Sequence, residues 1–249
     1  MLAVYAQDVS GDRKQLSFSV RPLQERVLPR ETIALRFTLA NQTNENLKVR
    51  GAQAIENLAL EIKKPNGETV PAGQLSGMIG HLVPNEKSLE PGRLSVWDEK
   101  LSFRLNDLFG EVGEYQLRAT FQNGDNQVLI SDWVSLVVVQ PQGADLSAYE
   151  KMMSIPQFRH GKYTVGFDVR SNQTEFIEQF PNSRYADYYR YKVAEGLSND
   201  HPQKAVEYFE AVVSKPDFVF ATEAAAKLKA LRDKMANIER LKAIRSKRN

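Results

Sequence analysis

Three histidines, His81, His160 and His201, stand in separate segments, and there is no cysteine. That removes disulfides, thiolate nucleophiles, cysteine-based zinc sites and iron–sulfur clusters from the possible chemistry. A hydrolytic triad needs nucleophile, base and orienting acid in mutual contact. None of the histidines lies in a nucleophile motif such as Gly-x-Ser-x-Gly. His-Glu-x-x-His, a twelve-residue calcium loop and the glycine-rich phosphate and dinucleotide loops are also missing. Asn123-Gly-Asp-Asn126 is too short for a calcium loop and reads as a hairpin turn. Asp98 and Glu99 are adjacent, so on a strand they face opposite ways and make a poor acid/base pair. His160 reads as a loop residue and His201 as a helix-start residue. The expectation is a protein that is not an enzyme, with no cofactor and no bound metal.

Two groups of residues suit recognition instead. Tyr185, Tyr188, Tyr189 and Tyr191 crowd seven positions together with Arg184 and Arg190, and Tyr and Arg are the side chains most enriched at binding hot spots. Helical geometry forces some of these rings off any single face. The competing reading packs two rings into a helical core and the others against the neighbouring sheets. The second group is the long glycine- and proline-rich segment Thr69 to Leu89. It reads as a loop carrying Met78 and His81, either a partner-binding loop or a crossover between sheets. Tyr185, Tyr188, Tyr189, Arg190, Met78 and His81 are therefore the candidate partner-binding residues.

The elements that must position them divide the chain by period. Leu16–Val20, Ile33–Leu39, Leu58–Ile62, Leu94–Val96, Leu101–Leu105 and Tyr115–Phe121 alternate apolar and polar, the pattern of half-buried strands. Val128 to Val139 is longer and more apolar, as a central strand would be. Turn residues separate them at Leu28–Glu31, Asn41–Asn46, Pro65–Gly67, Glu90–Gly92 and Asn123–Asn126. About seven strands without a helical stripe predict an antiparallel sandwich. Pro141 to Asp145 reads as a linker, with Asp145 as the N-cap of the first helix. Helices are predicted over 145–153, 185–197, from Asp200 and Pro202 to Lys215, and over 220–244.

Phe176–Ala186 aligns with Ala211–Ala221 at a shift of 35 residues, the period of stacked helical hairpins. Val193-Ala194…Leu197 and Ala205…Phe209…Val212…Pro216 resemble the packing positions of the tetratricopeptide repeat of bacterial exported proteins. Arg190 departs from that pattern, falling where the family has a large apolar residue. Gly113-Glu-Tyr115 resembles the tyrosine corner of immunoglobulin-like sandwiches, and the run Leu28 to Thr43, ending in Asn-x-Thr, resembles their early strands. Trp97 and Trp133 read as core or edge packing. These resemblances imply two domains, an all-β immunoglobulin-like sandwich over 14–141 and an all-α helical hairpin repeat of tetratricopeptide type over 145–249, after an N-terminal segment 1–13.

The net charge of +2 makes no whole-chain case for nucleic-acid binding. Residues 227–249, with nine basic and two acidic side chains, carry +7, and residues 1–226 carry −5. A solvated helix end that favours cations explains this tail, and a basic patch for an anionic partner is the alternative. No apolar run is long enough for a membrane-spanning helix. Val4-Tyr5-Ala6 before Gln7 looks like the end of a signal peptide, which sets the expected location as periplasmic or extracellular, with the cytoplasm as the alternative. The function these readings imply is a non-catalytic interaction or scaffold protein of the bacterial cell envelope, holding a protein partner through the helical repeat and the sandwich loops. The alternatives are an inhibitor or regulator of a secreted protease, acting through sandwich loops, and a carbohydrate-binding module. The partner, the oligomeric state and the orientation of the domains stay open.

Overall fold

Period-2 alternation becomes strand wherever one face can be buried. The computed structural model describes residues 16–50, 58–74, 86–101, 107–123, 127–154, 169–215 and 217–246. Its strands are β1 (Leu16–Pro22), β2 (Arg26–Val27), β3 (Ala34–Asn41), β4 (Leu47–Arg50), β5 (Leu58–Lys63), β6 (Thr69–Gln74), β7 (Glu86–Leu89), β8 (Leu94–Lys100), β9 (Gly113–Asn123), β10 (Gln127–Ile130) and β11 (Val134–Val138). The helices are α1 (Ala144–Ser154), α2 (Val169–Gln179), α3 (Arg184–Leu197), α4 (Pro202–Val213) and α5 (Ala221–Ser246).

The chain forms two units. The first comprises Met1–Pro22, Leu35–Ser102 and Glu114–Leu136; the second comprises Leu23–Ala34, Phe103–Gly113 and Val137–Asn249. In the first unit β1, β3 and β8 form one sheet. β1 and β3 pair antiparallel, with Leu16 opposite Asn41 and Phe18 opposite Leu39. β9 is the centre of the other sheet, paired antiparallel with β5 and with β10, and β5 pairs with β6. Tyr115, Leu117, Ala119 and Phe121 of β9 are fully buried on one face, as are Leu35, Phe37 and Leu39 of β3. Each leucine and phenylalanine among them contributes about 1.5–3 kcal/mol on burial. An aromatic cluster joins the two sheets: Phe18 lies 5.5 Å from Phe121, and Trp97 lies 5.6 Å from Phe37 and 6.1 Å from Phe121.

The second unit holds all five helices found among the described residues, together with strand segments. β2 pairs in parallel with the end of β11, Val137 opposite Arg26 and Val138 opposite Val27. α3 packs on α1, α2 and α4, and α4 packs on α5. One core gathers Tyr191, Ala194, Ala205, Phe209, Val212, Phe220, Ala224, Leu228 and Leu231. The other gathers Leu28, Ala148, Met152, Phe176, Ile177, Tyr185, Ala186, Tyr189 and Val193.

This overturns the expectation of an all-β immunoglobulin-like sandwich followed by a separate all-α tetratricopeptide-like repeat. About 40% of the residues are helical and 33% strand, spread over several sheets. The physical reason lies at Leu23–Ala34, which falls inside the span 14–141 expected as sandwich, with Leu28–Glu31 read as a turn and Ala34 in a strand: Leu28 and Ala34 are buried in the helical cores, so helices and strand segments share one unit.

Local differences have local causes. The single strand expected over 128–139 is two strands. Ser131 is buried between them, its N–H donating to the Ala119 carbonyl (2.9 Å) and its hydroxyl accepting from the Ala119 N–H (3.0 Å). Thr69–Gln74 and Glu86–Leu89, expected in a loop, are strands. β4 and β7 pair with each other, a short ribbon without a long alternating run. Asp145 does not cap α1; its carboxylate accepts from the Ser183 hydroxyl (3.0 Å) and the Arg184 N–H (2.7 Å), at the start of α3. The cap position of α4 is His201, with no side-chain bond, followed by Pro202. The expected strand at Leu101–Leu105, apart from Leu101, and His160 and residues 1–13 lie outside the described residues.

Candidate functional site

Residues Leu28–Glu31 make a tight turn in the second unit. The Glu31 N–H donates to the Leu28 carbonyl (3.0 Å), and Arg30 takes a φ of 61°, a conformation that favours glycine or asparagine. The turn is fixed from several sides. The Glu31 carboxylate accepts from the Leu28 N–H (2.7 Å) and from Arg184 (2.8 Å). Arg184 also donates to the Arg26 carbonyl (3.3 Å), and the Tyr185 hydroxyl donates to the Pro29 carbonyl (2.8 Å). Arg30 faces Asp107 at 3.5 Å. Burial pushes the Glu31 carboxyl above its ordinary range, against the lowering pull of Arg184 and of the Leu28 N–H. Burial, helped by the Glu31 charge, also pushes the Tyr185 hydroxyl up, so it remains a donor.

Ser183 opens α3 as its N-cap, accepting from the Tyr185 N–H (3.2 Å). One turn on, Asp187 is buried between two cations, Arg190 at 2.5 Å and Lys215 at 2.7 Å. Arg190 also donates to the Pro181 carbonyl (2.6 Å). A charge at an expected apolar position is thereby explained: Arg190 ties the start of α3 to the turn before it.

Between the turn, the start of α3 and the segment after α4 lies a cleft of about 260 Å³. Gln24, Glu31 and Thr32 line it from the turn, and Asn182, Arg184, Asp187 and Tyr188 from the start of α3. Lys215, Asp217, Phe218, Val219 and Phe220 complete it. Its aromatic wall is a packed set: Tyr188 is 6.0 Å from Phe220, and Phe218 is 5.6 Å from Phe220. Asn182 and Asp217 are exposed at the cleft. Ligand pockets for small molecules usually span about 300–1,000 Å³. This cleft has room for one or two side chains.

The tyrosine-rich run is mostly core. Tyr185, Tyr189 and Arg190 are 4%, 7% and 8% exposed, and Tyr191 is fully buried. Tyr188 is half-buried and lines the cleft, so of the candidate set it alone offers a ring to a ligand there. Met78 and His81 lie outside the described residues. Sequence reasoning missed Glu31, Asp187, Lys215 and Asp217. Their only signal was local, a charged residue beside proline or at the edge of a helix, and their partners are up to 153 positions away in the chain.

A second polar group lies between α3 and α5. The Tyr191 hydroxyl donates to Glu223 (2.5 Å) and Glu195 (3.1 Å), and Glu195 accepts from Lys192 and Lys227, each at 2.6 Å. Burial alone would raise the Glu195 carboxyl, yet the two lysines outweigh it and hold it at about 2. Among the described residues no three His, Asp or Glu side chains gather as metal ligands, and no helix is long and apolar enough to cross a membrane.

No family model matches this chain, and no curated protein matches it. Solved structures match weakly. A β-glucosidase from Listeria innocua in complex with isofagomine is 12% identical with a TM-score of 0.31, over 50% of this chain and 16% of the enzyme. The sporulation control protein Spo0M from Bacillus subtilis is 8% identical with a TM-score of 0.33, over 57% of this chain and 56% of its own. The CARDB domain of the PF1109 protein from Pyrococcus furiosus, in complex with di-metal ions, is 12% identical with a TM-score of 0.27, over 50% of this chain and 92% of the domain. This chain thus spans only a small part of the β-glucosidases it matches, and scores this low carry no inference about what it does.

Proposed function

We propose that this chain is a non-catalytic interaction protein of the bacterial cell envelope, and that the cleft of its second unit receives a side chain or two from a protein partner. The observation that carries this reading is how the cleft spends its charges. Glu31 is tied to Arg184, and Asp187 to Arg190 and Lys215. A general acid or base must exchange a proton with substrate. These carboxylates are committed to neighbouring cations and act as struts. What remains for a ligand is the aromatic wall of Tyr188, Phe218 and Phe220, with the exposed Asp217 and Asn182 beside it. Rigid aromatic surface with a few polar groups around it suits an anchor residue of a protein partner.

A photo-crosslinking phenylalanine analogue in place of Asp217, in the full chain expressed in its own cells, tests the cleft. The expected result is one reproducible protein adduct, absent when the analogue replaces Glu68, an exposed residue of the first unit. Equal adduct patterns at both positions would contradict it. Fractionating cells that express the full chain tests the setting, since recovery with the cytoplasmic fraction alone contradicts it.

A further inference from the structure

Helix α5 outruns the helix it packs on. Its 26 residues span about 39 Å, against about 18 Å for the 12 residues of α4. Packing reaches Leu231, which is buried, and Met235, which is half-buried. From Ala236 to Ile244 every side chain is exposed. Three of them are large and aliphatic: Ile238 is 41%, Leu241 50% and Ile244 42% exposed. Spaced three apart, they run as neighbours along the helix surface. The sequence from 236 to 249 is one-sided in charge. Residues 236–249 hold Arg240, Lys242, Arg245, Lys247 and Arg248 against Glu239 alone, a net +4. Glu239 pairs with Lys242 at 2.8 Å.

Compensation of the helix dipole accounts for cations here, but it leaves the exposed aliphatics unexplained. A second copy would set +4 against +4. A folded acidic partner needs about 800 Å² of contact on each side, far more than three partly exposed aliphatic side chains offer. A lipid surface needs no shape complementarity. It accepts aliphatic side chains at shallow depth, and an anionic one strengthens binding roughly fivefold for each Lys or Arg beside it. We propose that the end of α5, residues 236–246, is a peripheral anchor for an anionic lipid surface. Arg240 and Lys242 meet the headgroups, and Ile238, Leu241 and Ile244 enter the boundary of the acyl chains. This surface is separate from the cleft and does not depend on what the cleft binds.

The test is flotation of the purified full chain with vesicles of phosphatidylcholine alone and of an equal mixture with phosphatidylglycerol. A second protein carries Ile238→Gln, Leu241→Gln and Ile244→Gln. These positions are exposed and glutamine is a good helix former, so unchanged circular dichroism is expected. The proposal expects binding to the mixed vesicles only, weakened by salt, and roughly tenfold weaker in the triple variant. No binding to the mixed vesicles would overturn it. So would undiminished binding by the triple variant, or a duplex oligonucleotide captured as tightly as the mixed vesicles.

Discussion

Asp187 sits between Arg190 and Lys215 with its side chain only 7% exposed. Removing one member of such a group leaves uncompensated buried charge, which costs far more than the net worth of the pair. Asp187→Ala is therefore expected to destabilise the second unit by about 3 kcal/mol, read as a lower Tm. An unchanged Tm would contradict the role given to Asp187 here. Asn41 makes a parallel case in the first unit. It is 1% exposed; its amide nitrogen donates to the Glu45 (2.7 Å) and Leu89 (2.8 Å) carbonyls, and its oxygen accepts from the Thr43 N–H (2.9 Å) and hydroxyl (2.7 Å). Asn41→Ala strands these groups and is expected to cost about 2–3 kcal/mol, with urea unfolding as the measure. The Asn-x-Thr pattern at this strand end was visible in the sequence. Its purpose was not, because the Leu89 carbonyl it satisfies is 48 residues away.

At the scale of elements, the helices were the most legible part. Apolar spacing and proline placed α3, α4 and α5 to within two residues, because their stripes bury into one core. Short ribbons were not legible: β4 and β7 have four residues each, and β2 has two, too few for a period to register. The polar link between α3 and α5 has a predictable pH response. Glu195 is held at about 2 against an ordinary 4.5, so its contribution is complete above pH 4.5 and is lost as the pH falls from there toward 2. With screening of the partly exposed lysines, the loss is on the order of 2 kcal/mol. Glu31 runs the other way, since its carboxyl is raised by burial and its protonation favours the folded form. Thermal melts between pH 5 and about 2.5 are expected to fall less steeply for Glu195→Gln than for the unaltered chain. Parallel curves would mean that Glu195 is not the group titrating.

For the whole molecule, the sequence reading separated strands from helices, whereas the second unit combines them. The reason is the segment Leu23–Ala34. Its Leu28 read as a turn residue between sandwich strands and its Ala34 as part of a strand, but both are buried in helical cores. Burial against helices leaves no period in a segment this short. The cleft escaped sequence reading for the same reason. Gln24, Glu31 and Thr32 come from that segment and meet residues more than 150 positions later, so no local motif connects them. The tyrosine run lies on the helix whose start lines the cleft, although three of its four rings turned out to be core.

The most direct test of the central claim, that the cleft holds a protein partner, is a crosslinking pull-down of the native full chain beside Asp217→Arg. Asp217 is exposed, so the substitution leaves the fold in place while filling the cleft and reversing its charge. The account predicts an envelope protein recovered with the unaltered chain and depleted at least about tenfold with the variant, as the loss of a central contact would give. The same partners in the same amounts from both proteins would contradict it.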